Sequence, residues 1–352
     1  MVVVTIDGKK VGDDYPCYTI AEAGANHESD VNKAFKLIDA AVESNVDSIK
    51  FQTYTAAKLT TKTAPKFWDF GDLNETQYDL YSKLDDLKNS DWAQIFEYAK
   101  KKNITCFSTP FDEDSSDLLY SLDVPAFKIA SCDITNLPLI KHIAKKKLPL
   151  FISCGMASDE EIIDAVSTIE DTGNQDIIIM HCMTSYPTKY EDANLEMIGT
   201  LHQKFPNHVI GYSDHTLGIT VPVYSTFYGS KAIEKHFTYD NNLEVSPDHR
   251  LSLNAQTYSE LVKNLRIAEI SRGQPTRTAF DCESKAVKYA RRSIVSTKRI
   301  SKGTKITKEM LAIKRPATGI YPKFFDQVVD SIAIFDIEED VPIQWEYLSK
   351  SV

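Results

Sequence analysis

The feature that most constrains the fold of this chain is a regular alternation of apolar and amphipathic segments between Tyr18 and about Arg272. Segments such as VNKAFKLIDAAVES and DEEIIDAVSTIE repeat apolar residues every three or four positions, which predicts helices. The apolar, β-branched runs between them read CYTIAEAG, DSIKFQT, ITCFST, AFKIAS, PLFISCG, DIIIMHC, HVIGYS and KAIEKH. Such runs are typical of parallel strands buried on both faces. Eight of them in a chain of this length predict an α/β fold, a closed (β/α)8 TIM barrel.

The pattern changes after Gly273, where GQPTRTAFDCESKAVKYA is polar and turn-prone. From Arg291 onward, short β-rich stretches and turns replace the long helices. We therefore predict a barrel at residues 1–272, a linker at 273–290 and a small β-rich domain at 291–352. The first strand is followed by no GxGxxG motif, which argues against an open dinucleotide-binding sheet.

Composition excludes several classes of function. The formal net charge of −10 argues against a nucleic-acid-binding protein, because a surface that tracks phosphates is usually basic. No run approaches the ~18 consecutive apolar residues that a membrane span needs. The first residues, MVVVTIDGKKVGDDYP, are acidic where a secretory signal has its apolar core, so we expect a cytoplasmic protein. The cysteines form no CxxC pair, and the five in or beside apolar runs are expected to be small buried residues.

Polar side chains stand at the carboxyl end of almost every predicted strand. In a barrel these ends face one shared pocket, and packing does not explain why polar groups recur there. The residues at these positions are Glu22, Lys50, Gln52, Thr109, Lys128, Ser131, Ser153, Thr184, Tyr186, Ser213, His215, Glu234 and His236.

Lys50 and Lys128 each interrupt a strongly apolar run. A buried lysine without a partner is unfavourable, so each must face an anion, a carboxylate or water. Three interpretations are open: a structural salt bridge inside the barrel, a Schiff-base lysine, or a pair of cations that hold phosphate and carboxylate groups. The hydroxyls predicted around them favour the third interpretation.

His215 and His236 come from the ends of adjacent late strands and could share one metal ion, with water and substrate oxygens completing its coordination. Lone histidines are more often structural, and the sequence does not name the metal. Glu22 is the carboxylate at the end of the first strand, where a general acid or base role is plausible. Asp248, in the loop EVSPDHR, could bind sugar hydroxyls or cap a turn.

The same strand ends carry a family resemblance. The motifs IAEAGANHESD, SIKFQTY, STPFDEDSSDLLYSLDVPAFKIAS, ITNLPLI, SCGMAS, HCMTSYPTKYEDANL, GYSDHTLG and EKHFT resemble the sialic acid synthase family, which includes N-acetylneuraminate, legionaminate and pseudaminate synthases. The segments KRISKGTKIT and KRPATGI resemble the small antifreeze-like (SAF) domain that ends those enzymes. The match covers nearly the whole chain, and its motifs occur in the family's order.

The resemblance implies a (β/α)8 barrel followed by a SAF domain, in a domain-swapped homodimer. It implies a transferase that condenses phosphoenolpyruvate (PEP) with an N-acylated aminosugar, releases phosphate by C–O cleavage and makes a nine-carbon sialic acid such as N-acetylneuraminate. N-acetylmannosamine is the sugar we expect first. The alternative is a 6-deoxy-2,4-diacetamido hexose, as in legionaminate or pseudaminate synthesis.

The resemblance also implies roles for single residues. Glu22, Lys50 and Lys128 would be catalytic, and Glu22 would assist proton transfer. His215 and His236 would bind Mn²⁺ or Mg²⁺, and Arg315 would reach the partner subunit's site to bind the sugar's N-acyl group. PEP would be held by Lys50, Thr109, Lys128, Ser131, Ser153, Thr184 and Ser213. The sugar would be bound by Gln52, Asp133, Tyr186, Asp248 and Arg315.

The chain departs from the family pattern at a few positions. Cys132-Asp133 replaces the usual Gly-Glu, Met183-Thr184 replaces Thr followed by Asn or Ser, and Ser246 and Ala317 each replace a glycine. The lysine and histidine positions are intact, so these changes affect the choice of sugar rather than the reaction class.

Three other functions are alternatives to a sialic acid synthase. A PEP-condensing barrel of aromatic amino-acid synthesis should lack the KRPATG segment. A Schiff-base aldolase would form a covalent adduct with pyruvate. A non-catalytic sugar-binding protein would not need a metal beside a phosphate site.

Overall fold

The computed structural model describes residues 2–68, 74–276 and 280–349. The chain forms two compact units, Met1–Gly273 and Gln274–Val352. Residues 277–279 of the predicted linker lie outside the described residues.

The first unit is the predicted closed barrel. Its eight parallel strands follow one another around the barrel in chain order, and the last strand pairs with the first. Each of the eight apolar runs contributes one strand. The strands are β3 (Tyr18–Gly24), β4 (Ser48–Thr53), β5 (Thr105–Pro110), β6 (Phe127–Ile129), β7 (Leu150–Ser153), β8 (Ile177–Cys182), β9 (Val209–Asp214) and β10 (Ala232–His236), after a hairpin of β1 (Val3–Ile6) and β2 (Lys9–Gly12).

Amphipathic helices cover the outside of the barrel. In Asp159–Glu170, for example, Ser158 caps the amino end with Glu161 in a capping box, and Ile162 and Ile169 are buried. The helices are α1 (Val31–Glu43), α2 (Ala56–Leu59), α3 (Gln77–Ser82), α4 (Asn89–Lys101), α5 (Glu113–Ser121), α6 (Leu137–Ala144), α7 (Asp159–Glu170), α8 (Glu196–Lys204), α9 (Thr220–Ser225) and α10 (Ala255–Arg272). Among the described helices, none is both long and apolar enough to span a bilayer.

Strand periodicity sorts the barrel residues into two environments, because successive side chains point to opposite faces. On β4, Ile49 and Phe51 join the core between strands and helices, whereas Lys50 faces the interior. The interior is filled by a second apolar cluster that includes Phe107 and Phe151.

The β1–β2 hairpin, which the sequence analysis did not predict, contributes Val4, Ile6 and Val11 to the interior cluster. These residues pack with Tyr18, near the start of the first barrel strand. The hairpin therefore closes the amino-terminal end of the barrel, and the interior opens at the carboxyl ends of the strands.

The second unit is the predicted small β-rich domain. Two antiparallel pairs form it, with Ile294, Ile306 and Ile343 among its core residues. Its elements are α11 (Ser284–Tyr289), β11 (Ser293–Ser296), β12 (Leu311–Lys314), α12 (Phe325–Val328), β13 (Ile332–Ala333) and β14 (Leu348–Ser349).

Burial of the cysteines differs in part from the prediction. Cys17, Cys106, Cys154 and Cys182 are buried. Cys132 was expected among the buried residues and is exposed instead, because the chain leaves β6 just before it and enters the loop at the pocket mouth.

Candidate active site

One cavity of about 420 Å³ lies at the carboxyl ends of the barrel strands. The structure brings every predicted site residue of the barrel to its wall. These are Glu22, Lys50, Gln52, Thr109, Lys128, Ser131, Asp133, Ser153, Thr184, Tyr186, Ser213, His215, His236 and Asp248. Arg315 lies in the second unit, where its side chain is exposed just after β12.

The centre of the cavity holds a chain of buried charges. Lys50 Nζ lies 2.6 Å from Glu22 Oε2 and 3.8 Å from Glu234 Oε2. Lys128 Nζ lies 3.3 Å from Glu234 Oε1, which also accepts a hydrogen bond from Ser213 Oγ at 2.9 Å. Both lysines are thus paired with carboxylates, as the salt-bridge interpretation requires. The pairs nevertheless line a cavity, where an anionic substrate can compete for the lysines.

The two carboxylates of this network differ in acidity. Burial raises the pKa of Glu22 to about 7, and Lys50 offsets the effect of burial only in part. Burial also acts to raise the pKa of Glu234, but Lys128 and Lys50 outweigh it and lower the pKa to about 2. Glu234 therefore stays ionised, whereas Glu22 can exchange a proton near neutral pH. Two carboxylates with separated pKa values suit acid–base chemistry.

Glu234 was noted at a strand end, but the sequence analysis gave it no role. Its carboxylate joins Lys50, Lys128 and Ser213, which come from three other strands. The available signal was that Glu234 is the acidic residue in the run that carries His236.

A group of hydroxyls lies beside Lys128 around Gly155. Ser131 Oγ accepts a hydrogen bond from the Gly155 amide at 3.0 Å. A Cβ at Gly155 would lie 2.4 Å from Thr184 Oγ1 and 2.9 Å from Ser131 Oγ, so any larger residue would displace these hydroxyls. Ser153 Oγ and Thr184 Oγ1 are buried without a hydrogen-bond partner. Buried hydroxyls normally have partners, so these are available to an anion held by the lysines.

The two predicted metal-binding imidazoles lie side by side, with ring centroids 5.3 Å apart. His215 Nδ1 donates to the Met183 carbonyl at 2.8 Å, so in the neutral ring Nε2 is the nitrogen whose lone pair can bind a cation. His236 Nδ1 is buried without a hydrogen-bond partner, 3.5 Å from Asp248 Oδ2. Burial lowers the pKa of His236, which favours the neutral form that binds metals. These features fit a divalent cation.

Within the described ranges, no group of three or more His, Cys, Asp and Glu side chains could hold a metal. A cation held by the two imidazoles would therefore take further oxygens from substrate and water.

The mouth of the cavity carries the predicted sugar contacts. Gln52 Nε2 donates to Glu22 Oε1 at 2.9 Å, and the Tyr186 ring packs on His215 with centroids 4.2 Å apart. Asp133 Oδ1 accepts a hydrogen bond from Asn136 at 3.2 Å, and burial raises the pKa of Asp133.

An apolar and aromatic wall, which the sequence analysis missed, faces these polar groups. We define the mouth wall as Tyr54, Trp68, Leu80, Tyr81 and Leu84, all of which line the cavity. The Tyr81 ring packs against Tyr54 and Trp68, with centroids at 5.4 and 6.1 Å. The available signal was the number of aromatic residues in the long segment between β4 and α4.

Comparison with known proteins agrees with this arrangement. Residues 37–277 match the model of the NeuB family, and residues 291–349 match the SAF domain. The chain is 38% identical to the N,N'-diacetyllegionaminic acid synthase of Legionella pneumophila over 97% of both chains. It is also 38% identical to the enzyme of that name from Campylobacter jejuni, over 91% of this chain and 97% of the other.

A solved structure of N-acetylneuraminic acid (sialic acid) synthetase from Leptospira borgpetersenii, in complex with citrate, superposes with a TM-score of 0.72. The two chains are 33% identical, and the match covers 81% of this chain and 95% of the other.

Proposed function

Since this chain belongs to the NeuB family and is a PEP-dependent nonulosonic acid synthase, we propose a role for each pocket group and a class of sugar. The proposal depends above all on the paired lysines and carboxylates beside unpartnered hydroxyls at the strand ends. We assign the catalytic domain to residues 1–272, the linker to 273–290 and the SAF domain to 291–352.

PEP binds at the lysines and the surrounding hydroxyls. Lys50 and Lys128 line the cavity and are paired with Glu22 and Glu234, so the negatively charged substrate competes with these carboxylates for the two lysines. Ser153 and Thr184 supply hydroxyls that have no other partner. The residues that hold PEP are Lys50, Thr109, Lys128, Ser131, Ser153, Thr184 and Ser213.

Condensation joins carbon 3 of PEP to the aldehyde carbon of the open-chain sugar. His215 and His236 would hold Mn²⁺ or Mg²⁺, whose chemistry is to polarise the aldehyde as a Lewis acid. Bond formation leaves positive charge at carbon 2 of PEP, beside the carboxylates of Glu22 and Glu234.

Water then adds at carbon 2, and Glu22 accepts its proton. The role suits Glu22 because its raised pKa, near 7, lets it take up and release a proton at neutral pH. Gln52, which donates to the same carboxylate, orients it. Breaking the C–O bond to phosphate completes the reaction and yields the 2-keto acid.

The sugar we propose is the alternative of the sequence analysis, a 6-deoxy-2,4-diacetamido hexose. Such a sugar carries methyl groups on both acetamido groups and at carbon 6, whereas N-acetylmannosamine has a hydroxymethyl group at its far end. The mouth wall supports this choice, because Leu80 and Leu84 are buried apolar side chains that line the cavity and cannot hydrogen-bond to a sugar hydroxyl. The legionaminic acid synthases among the relatives also support it.

Polar groups at the mouth bind the rest of the sugar. Gln52 near the end of β4, Tyr186 after β8 and Asp248 in the loop after β10 converge on the cavity, and Asp133 adds a fourth polar group. Arg315 of the SAF domain is exposed, and we assign it to the N-acyl group in the partner subunit's site, within a domain-swapped homodimer.

Phosphate release from PEP with Mn²⁺ tests both parts of the proposal. We expect a 2,4-diacetamido-6-deoxy hexose to give the highest kcat/KM, above N-acetylmannosamine and its 6-phosphate, and EDTA to abolish release. Lys128→Met, which keeps the length of the side chain, should lose release with every sugar. No release with any sugar would contradict the function, whereas a preference for N-acetylmannosamine would contradict only the sugar.

A further inference from the structure

A second buried ion pair lies on the opposite face of the strands that carry the two imidazoles. Lys235 Nζ lies 2.6 Å from Asp214 Oδ2, and both side chains are 0% exposed. Lys235 directly precedes His236, and Asp214 directly precedes His215. Neither lines the cavity. Because successive strand residues face opposite sides, this pair lies behind the imidazoles rather than beside the substrate.

The pair is the centre of a hydrogen-bonded network that holds the chain around His215. Asp214 Oδ1 accepts from the Tyr212 hydroxyl at 2.8 Å and from the Thr216 amide at 2.9 Å. Asp214 Oδ2 accepts from Thr216 Oγ1 at 3.0 Å as well as from Lys235. Lys235 also donates to the Thr216 carbonyl. The residues on both sides of His215 are therefore fixed to each other and to the strand that ends at His236.

The backbone supports the same coupling. Lys235 and Asp214 are partners in the parallel ladder of β9 and β10, so their ion pair crosses directly between the two strands. Any change in their separation would move the two strand ends, and with them the two rings.

Stability alone does not explain such a pair. Two charges that are completely removed from water lose their solvation free energy, and their mutual attraction offsets this loss only when the geometry is good. Apolar residues of similar size often give the protein the same stability. Each residue of this pair also directly precedes one of the two imidazoles of the proposed metal site. Groups that orient metal-binding side chains commonly change metal affinity by about 10- to 100-fold when they are lost.

We propose that the Lys235–Asp214 pair is a positioning device that sets the separation and orientation of His215 and His236 for a divalent cation. The inference rests on the proposed metal role of the two imidazoles. Neither residue of the pair touches substrate, so both act through their neighbours in the chain.

Direct binding of Mn²⁺ alone, measured by electron paramagnetic resonance on the full chain, tests this inference. We expect Lys235→Met to weaken Mn²⁺ binding by at least about 10-fold. Its affinity for PEP, measured in EDTA, should stay within about twofold, because the Lys50 and Lys128 site is unchanged. Weaker Mn²⁺ binding together with unchanged PEP binding is a result that a loss of stability alone would not produce.

The double variant Lys235→Met/Asp214→Leu separates positioning from stability. It leaves no unpaired buried charge, so we expect its melting temperature to recover toward that of the wild type while Mn²⁺ binding stays weak. If the melting temperature and the Mn²⁺ affinity of the double variant both recover, the inference is wrong. Unchanged Mn²⁺ affinity in Lys235→Met would also overturn it. The control Ile169→Ala removes a fully buried side chain of α7 and should lower the melting temperature without weakening Mn²⁺ binding.

Two further results keep the test decisive. If Lys235→Met does not fold, Tyr212→Phe removes a single hydrogen bond to Asp214 and should weaken Mn²⁺ binding in the same direction by a smaller factor. If the wild type binds no Mn²⁺, the metal assignment and this inference both fail. If the wild type binds and the variants bind equally well, only this inference fails.

Discussion

Replacing Glu22 by glutamine should remove a pH dependence from the stability of the barrel. Glu22 is buried, and burial raises its pKa from 4.5 to about 7 despite the nearby Lys50. The folded protein therefore holds this proton more tightly than the unfolded chain does. The contribution of Glu22 to the free energy of unfolding is therefore fully present below pH 4.5, falls as the pH rises from 4.5 through about 7, and levels off above that.

The size of the effect follows from the two pKa values. A carboxyl with a pKa of 4.5 unfolded and about 7 folded lowers the free energy of unfolding by about 2 to 3 kcal/mol between pH 5 and pH 8. Glutamine has nearly the same shape and cannot ionise, so Glu22→Gln should lack this contribution. The same variant should lose turnover by about 10²- to 10⁴-fold, because its amide cannot accept the proton of the attacking water.

Urea unfolding at pH 5 and pH 8, followed by circular dichroism in EDTA, measures the effect. Most helices of the described ranges belong to the barrel unit, so the helical signal reports on that unit. We expect the wild type to lose about 2 to 3 kcal/mol more of its free energy of unfolding than Glu22→Gln loses between the two pH values. The exposed Glu260 provides the control, and Glu260→Gln should behave as the wild type does. Equal pH dependence in the wild type and Glu22→Gln would refute the reasoning.

Three other substitutions separate the parts of the site. Gly155→Ala should raise the KM for PEP by at least about 10-fold and leave the KM for sugar unchanged, because its Cβ would displace the Thr184 and Ser131 hydroxyls. The same KM for PEP in the wild type and the variant would exclude a role of those hydroxyls in binding phosphate. His236→Ala should lose Mn²⁺-dependent turnover while circular dichroism shows an intact fold, and full activity would rule out the metal role. Arg315→Ala should raise the KM for sugar far more than that for PEP, and an unchanged KM for sugar would exclude its contact with the N-acyl group.

The sequence predicted the barrel and its pocket residues well because both depend on short-range periodicity. Alternation with period two places Lys50 inside and Ile49 outside, and the end of each apolar run marks where the pocket begins. Partners that are distant in the chain leave no such pattern. Lys128 and Glu234 are 106 residues apart, and no local motif shows that they share a proton-binding network. Likewise, Gly155 is crowded by Thr184 and Ser131 only after the ends of three strands meet in the fold.

The same alternation explains why β9 and β10 can carry two charge networks that do not mix. On β10, Glu234 and His236 face the cavity, whereas Lys235 between them faces the helices and pairs with Asp214. In the proposed reaction, the inner network binds a negatively charged substrate, and Glu22 takes up and releases a proton. The outer network is fully buried and saturated with hydrogen bonds, so it can stay fixed while the inner charges change. Because neighbouring residues of one strand face opposite sides, the buried Lys235–Asp214 pair can hold the strand ends in place while, in the proposed reaction, the substrate displaces the carboxylates from Lys50 and Lys128.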